Sequence, residues 1–230
     1  MNPHQLFLSA AVLLTSGFFP LSAQNPATPP KILTAAKVDA GPKIDGSLSD
    51  DCWKNIGFQD GFVTNASETE KAREQTRIKA AYDDNNLWFA VQCDQKTGTE
   101  ASIETKRIPR DGAVYSENCL ELFLDPANTC RIYYQMTADM DGNQFDAKYN
   151  GPVMIKEWNG RWTVKTSRPS GGWTAEFRIP FSTLFTKPAK GTSWRFNMGR
   201  NNRSLHEISM WTFTGNSFHN PARFGRLKFE

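Results

Sequence analysis

Apolar and polar residues alternate in this chain over short runs, and each run ends in a turn. Cys119–Leu124 (CLELFL) is the clearest case: Leu120, Leu122 and Leu124 lie on one side, Glu121 and Phe123 on the other. A period of two suits a half-buried strand and no helix. Arg77–Tyr82 and Leu87–Cys93 flank Asp83-Asp84-Asn85-Asn86, whose residue types favour a tight turn, so the pair reads as a hairpin. Further strands are expected at Arg131–Ala138, Arg161–Ser167, Trp173–Ile179, Ser193–Arg200, Ile208–Thr212 and Phe224–Phe229. Ser49–Ile56 and Phe181–Phe185 have the pattern of short helical turns, whereas Glu68–Gln75 is polar all round and reads as a loop. No strand is followed by a long amphipathic helix, which argues against a parallel α/β fold. The expected architecture is all-β: a two-sheet antiparallel β-sandwich, jelly-roll-like, with short helical turns.

Sixteen Phe and seven Trp supply enough apolar surface for a substantial core, so a disordered chain is excluded. The net charge of +3 gives no basis for a nucleic-acid partner. Near the start, Leu6–Phe19 is an uncharged run, shorter than the roughly 20 residues a spanning helix needs. Pro20 and the small-residue stretch Leu21-Ser22-Ala23 follow it. Residues 1–23 therefore read as a signal peptide, although Met1–Gln5 lacks the usual Lys or Arg. Residues 24–36 read as a Pro-rich linker and 37–230 as one domain. The expected product is a secreted or periplasmic monomer that does not associate with membrane.

Export places Cys52, Cys93, Cys119 and Cys130 in an oxidising compartment, where two disulfides are expected. Four cysteines allow three pairings. Cys93 closes one expected strand and Cys119 opens a later one. If those strands are neighbours the thiols approach, which favours Cys93–Cys119 and leaves Cys52–Cys130.

The familiar catalytic motifs are missing: there is no G-x-S-x-G, H-E-x-x-H, P-loop or G-x-G-x-x-G. Glu104, Glu117, Glu121 and Glu176 are the acids from which a glycosidase pair would have to come, and their more ordinary role is as hydrogen-bonded or surface carboxylates. Asp139-x-Asp141-Gly142-Asn143 matches part of a calcium loop but lacks its terminal Glu; a β-turn is the simpler reading, and calcium stays open as a structural ion. No other cofactor is expected.

Five blocks occur in an order that resembles the family 9 carbohydrate-binding modules and the wider DOMON-like sandwiches. They are Ile44-Asp45-Gly46 with Trp53, then Ala81–Ala90 (AYDDNNLWFA), Glu117–Asp125 (ENCLELFLD), Gly172–Phe181 (GWTAEFRIPF) and Phe218–Leu227 (FHNPARFGRL). The resemblance covers about residues 37–230. It implies a non-catalytic binder of oligo- or polysaccharide that grips the end of a glucan or xylan chain between two aromatic rings, in the service of polysaccharide breakdown. It places the rings at Tyr115 and Phe218, with Glu121, Gln135, Asn197 and Arg200 as polar contacts. Such a set suits a sugar, whose C–H face lies on an aromatic ring while its hydroxyls meet donors and acceptors. The chain departs from the family pattern in presenting Tyr and Phe where characterised binders use Trp. Simpler roles remain for each: an exposed loop aromatic for Tyr115, a core or lid residue for Phe218, a local ion pair for Glu121. Trp53, Trp88, Trp173, Trp194 and Trp211 are expected in the core. Trp158 and Trp162 flank Asn159-Gly160 and are expected to pair across a hairpin.

Two other classes compete. Related sandwiches hold a b-type haem, for which Met136, Met198, Met210, His206 and His219 are available, though Met in a sandwich is usually core filler. A glycoside hydrolase acting on O-glycosyl bonds is the other, but no length is left for a second catalytic domain.

Overall fold

The computed structural model describes residues 29–95 and 106–230. The expected signal peptide, residues 24–28 of the expected linker and Glu104 lie outside the described residues. The strands are β1 (Ile32–Lys37), β2 (Val63–Thr64), β3 (Thr76–Tyr82), β4 (Asn86–Asp94), β5 (Cys119–Asp125), β6 (Ile132–Asp139) and β7 (Gln144–Asn150). They continue with β8 (Val153–Ile155), β9 (Thr163–Ser167), β10 (Gly172–Pro180), β11 (Ser193–Asn202), β12 (Glu207–Met210) and β13 (Gly225–Phe229). One helical turn, α1 (Asp51–Lys54), follows the Ile44-Asp45-Gly46 turn. Among the described residues no helix is long and apolar enough to cross a membrane.

The fold is mostly β, as expected, but the strands form one sheet rather than two. Hydrogen bonding runs unbroken in the order β8-β7-β6-β5-β11-β13-β1-β3-β4-β10-β9, with β12 pairing β11 and β2. The sheet closes back over itself: Phe89 of β4 stacks on Phe196 of β11, ring centroids 5.2 Å apart, although three strands separate them in the order. The link between the halves is β1, which pairs in parallel with both β13 and β3. The sandwich is therefore not wholly antiparallel. Nor is the stretch 32–36 linker, because Leu33 and Ala35 alternate inward from β1 into the core. A strand this short between Pro-rich and polar segments has a weak pattern of its own, and its place is fixed by its two neighbours.

Three apolar clusters follow from the alternation. The largest lies inside the curl and takes Leu120, Leu122 and Leu124 from β5, with Phe89, Trp173, Phe177, Trp194, Phe196 and Trp211. Two smaller clusters cover the outer face. One holds Trp53, Ala81, Trp88 and Ala90 beneath α1. The other holds Phe123, Tyr133, Phe145, Tyr149, Met210, Phe218 and Phe224 beneath the C-terminal loop.

All four cysteines are free thiols, so neither expected disulfide is present. The neighbour condition fails: β4 lies between β3 and β10, and β5 lies between β11 and β6, so Cys93 and Cys119 are not on adjacent strands. Burial pushes the Cys93 thiol up to about 11 and the Cys119 thiol well above its ordinary value, holding both protonated. Trp158 and Trp162 do not pair across a hairpin either. Trp162 donates to Asp146 Oδ2 at 2.7 Å, while Trp158 packs on Tyr134 at 4.8 Å. The Asp139–Asn143 turn uses its own acid: Asp139 Oδ1 accepts from the N–H of Asp141 and of Asn143 at 3.0 and 2.9 Å. Asp141 pairs with Arg168, and among the described residues no group of three or more acids, His or Cys is arranged to hold a metal.

Candidate functional site

The outer face above β5, β6, β7 and β11 carries a concavity of about 340 Å³, within the size range of small-ligand sites. Strand alternation builds its floor. Glu121 and Phe123 leave β5 on the side opposite the leucines, as the sequence predicts. Glu121 pairs in register with Thr137 of β6 and with Gly199 of β11, while Phe123 pairs with Gln135. Diagonal neighbours on one face are within reach of long side chains. Gln135 thus donates through Nε2 to Glu121 Oε2 at 2.6 Å, and the Tyr149 hydroxyl donates to Gln135 Oε1 at 2.8 Å. A polar row, Tyr149–Gln135–Glu121, crosses an otherwise aromatic floor.

Glu121 is buried, and its Oε1 has no hydrogen-bond partner among the described residues. Burial, offset in part by the Gln135 hydrogen bond, pushes its carboxyl up to about 7. Two neighbouring groups, Tyr149 and His219, are biased toward their neutral forms. Burial raises the Tyr149 phenol far above its ordinary value and lowers the His219 imidazole. The His219 ring packs against Phe123, Tyr133 and Tyr149, with centroids 5.3, 6.1 and 4.8 Å away, and its Nδ1 lies 3.1 Å from the Tyr133 hydroxyl.

The two expected rings sit differently. Tyr115, on the turn Val114–Ser116, is 45% exposed and stands edge-on to Phe145 at 5.5 Å. Asn201 Nδ2 donates to the Tyr115 carbonyl at 3.2 Å and anchors that turn. Phe218 is only 9% exposed and packs the far end of its ring over Gly199, where an added Cβ would come within 2.5 Å of Cζ. Glycine at 199 makes this approach possible. One ring is therefore a free-standing wall and the other is part of the floor. The mouth is apolar as well, with Met154 and Ile208 at 44% and 40% exposed, and Lys156 and Asn216 add polar groups.

Of the six sequence-predicted contacts, Tyr115, Phe218, Glu121 and Gln135 share this concavity, whereas Asn197 and Arg200 do not line it. Asn197 is buried and clamps a neighbouring segment: its Oδ1 accepts from Thr212 N at 2.9 Å and its Nδ2 donates to Thr212 O at 3.0 Å. Arg200 follows Gly199 on β11 and so points into the curl. There it donates to Glu74 O at 3.2 Å and Asp94 O at 2.7 Å, among others. Both are structural, because both are buried and their polar atoms are taken up by backbone groups of other segments. Tyr149, Phe145 and His219 were not expected in the site. The period-two signal Phe145, Ala147, Tyr149, alternating with Asp146 and Lys148, was present and could have found the strand.

The competing chemistries find little support in the geometry. Among the described residues Glu121 is the one carboxylate in the lining, where a glycosidase uses two at roughly 5–10 Å. Glu117 is ion-paired with Lys106 and Arg203. Glu176 is sealed on the opposite side of the fold. Met136 and Met198 are core residues inside the curl, and the Met210 sulfur accepts from Thr214.

Residues 44–230 match the family described as carbohydrate family 9 binding domain-like. Among solved structures, a family 9 carbohydrate-binding module from Caldicellulosiruptor kristjanssonii in complex with glucose superposes with a TM-score of 0.62 at 22% identity. That alignment covers 87% of this chain and 96% of that one. The same description applies to a complex with cellotriose: TM-score 0.62, 22% identity, 87% and 94% covered. A Bacteroides uniformis protein assigned to carbohydrate binding gives 0.67 at 19% identity, covering 87% of this chain and all of that one. No curated protein matches the sequence.

Proposed function

The chain belongs to the carbohydrate family 9 binding domain-like family, and from that premise we propose that the concavity over β5–β7 is a saccharide-binding site with no catalytic role of its own. The observation that carries this reading is the polar row Tyr149–Gln135–Glu121 set in an aromatic floor, with the exposed Tyr115 ring beside it. A sugar ring lays its C–H face on Tyr115, and its hydroxyls reach Glu121 Oε1 and the rim groups of Lys156 and Asn216. Phe218 closes the floor rather than sandwiching the sugar. A glucan- or xylan-type chain end is the ligand class we infer, supported by the glucose and cellotriose complexes of the Caldicellulosiruptor kristjanssonii module. We place the protein outside the cytoplasm, acting as a monomer in polysaccharide breakdown, on the reading of residues 1–23 as an export signal.

Isothermal titration of the mature chain with glucose, cellotriose and xylo-oligosaccharides tests the reading. Saturable heat is expected with at least one of them, weakened by Tyr115→Ala. Absence of heat and of thermal shift with every glycan overturns it.

A further inference from the structure

Among the described residues, Glu121 is buried without a counter-charge. β6 presents Gln135 and Thr137 to it, β7 presents Phe145 and Tyr149, and β11 presents Gly199. On its own strand Cys119 and Phe123 flank it, and the Phe218–His219 loop and Tyr115 close the sides. The titratable groups among these are Cys119, Tyr115, Tyr149 and His219. Among the described residues Lys156, at the exposed rim, makes no ion pair, and burial, offset by the Gln135 hydrogen bond, raises the Glu121 carboxyl to about 7.

The two carboxylate oxygens are not equivalent. The Gln135 amide is oriented from both ends, since Tyr149 donates to its carbonyl while its NH2 meets Glu121 Oε2 at 2.6 Å and Thr137 Oγ1 at 3.4 Å. Oε2 is thereby committed as an acceptor. A proton on Glu121 has to sit on Oε1, the oxygen without a protein partner, at the concavity. We propose that this site exchanges a proton for its ligand: a sugar hydroxyl donates to Oε1 of ionised Glu121, and the proton that Oε1 holds in the free protein leaves to solvent. The step breaks the Glu121 O–H bond, forms one hydrogen bond and releases one H⁺ to buffer. It ties sugar affinity to pH through Glu121. The inference rests on the saccharide reading of the same concavity.

Titration calorimetry with cellotriose between about pH 5.5 and about pH 8.5, in two buffers of different ionisation enthalpy, tests it. If binding lowers the Glu121 carboxyl by about one unit, affinity falls about tenfold toward the acid end, and protons are released near neutral pH. The Glu121→Gln variant is expected to bind weakly with a flat profile. His219→Gln is expected to keep the slope whatever its affinity, which separates the two titrating groups. Binding that is independent of pH, or a slope that survives in Glu121→Gln, overturns the proposal. If no sugar binds at any pH, the saccharide reading fails first and the exchange falls with it. Carbon-detected NMR titration of the Glu121 carboxyl in the free protein is a separate check. A midpoint near 7 supports the proton on Oε1, and one near 4.5 removes it.

Discussion

Glu176 and Glu121 are both buried glutamates on inner strands, both turned away from the main core, and they do opposite things. Glu176 on β10 accepts three hydrogen bonds, from Asp45 N at 3.1 Å, Gly46 N at 2.9 Å and Trp53 Nε1 at 2.9 Å. Both of its oxygens are used, and the ligands are backbone and indole groups of the segment that covers that face. Gly46 is at φ +84 with the Thr166 backbone 2.7 Å from where a Cβ would be, so glycine is required there. Glu121 accepts one hydrogen bond on one oxygen and turns the other toward an open concavity. A fully satisfied buried carboxylate is a clamp. A half-satisfied one facing a cavity raises the free energy of the empty fold and is available to a ligand. The comparison assigns the α1 face to stability and the β5–β7 face to binding.

The largest expected effect lies on the clamp. Glu176→Ala strips three buried donors of their acceptor and should destabilise the chain by about 3–5 kcal/mol, read by urea denaturation. A loss below about 1 kcal/mol breaks the comparison on that side. Glu121→Gln should act with the opposite sign. A carboxyl raised from about 4.5 to about 7 by folding binds more protons in the native than in the unfolded state across that window. Native stability is therefore fully present below about pH 4.5 and is lost as pH rises through about 7. Above that range Glu121→Gln should be more stable than the parent by about 1–3 kcal/mol, with the gap vanishing near pH 4. Parent and variant that melt alike at all pH values contradict this.

Gly199→Ala probes the floor. Its Cβ meets the Phe218 ring at 2.5 Å, and moving that ring should cost about 1–2 kcal/mol and weaken cellotriose binding severalfold in calorimetry. The smallest effect on stability is expected at Tyr115→Ala, within about 0.5 kcal/mol because the ring is exposed, while sugar affinity falls about tenfold. An equal loss of affinity in Glu176→Gln, measured on folded protein, would erase the distinction between the faces.

The part of the site set by local period was legible in the sequence. CLELFL alone placed Glu121 and Phe123 opposite the leucines, and Tyr115, Gln135 and Phe218 followed from the family resemblance. What the period does not encode is which far segment covers an outward residue. Asn197 stands on β11 two residues before Gly199, yet Thr212 caps it; Arg200 turns into the curl and is consumed by carbonyls from Glu74 and Asp94. Strand β7 was legible in the alternation of Phe145, Ala147 and Tyr149 with Asp146 and Lys148; what that pattern does not show is that Asp146 is buried against Trp162 and Gly160. The disulfide expectation failed for a related reason: proximity of Cys93 and Cys119 depended on strand order, and the order is set by β1, itself hidden in a segment that looked like linker.

The most direct test of the division between the faces is amide and side-chain NMR mapping during titration with cellotriose. The account predicts perturbations centred on Tyr115, Glu121, Gln135, Tyr149 and Phe218, with the Gly46, Trp53 and Glu176 region unmoved. Perturbations confined to the Gly46–Trp53 side, with the β5–β7 concavity silent, would contradict it.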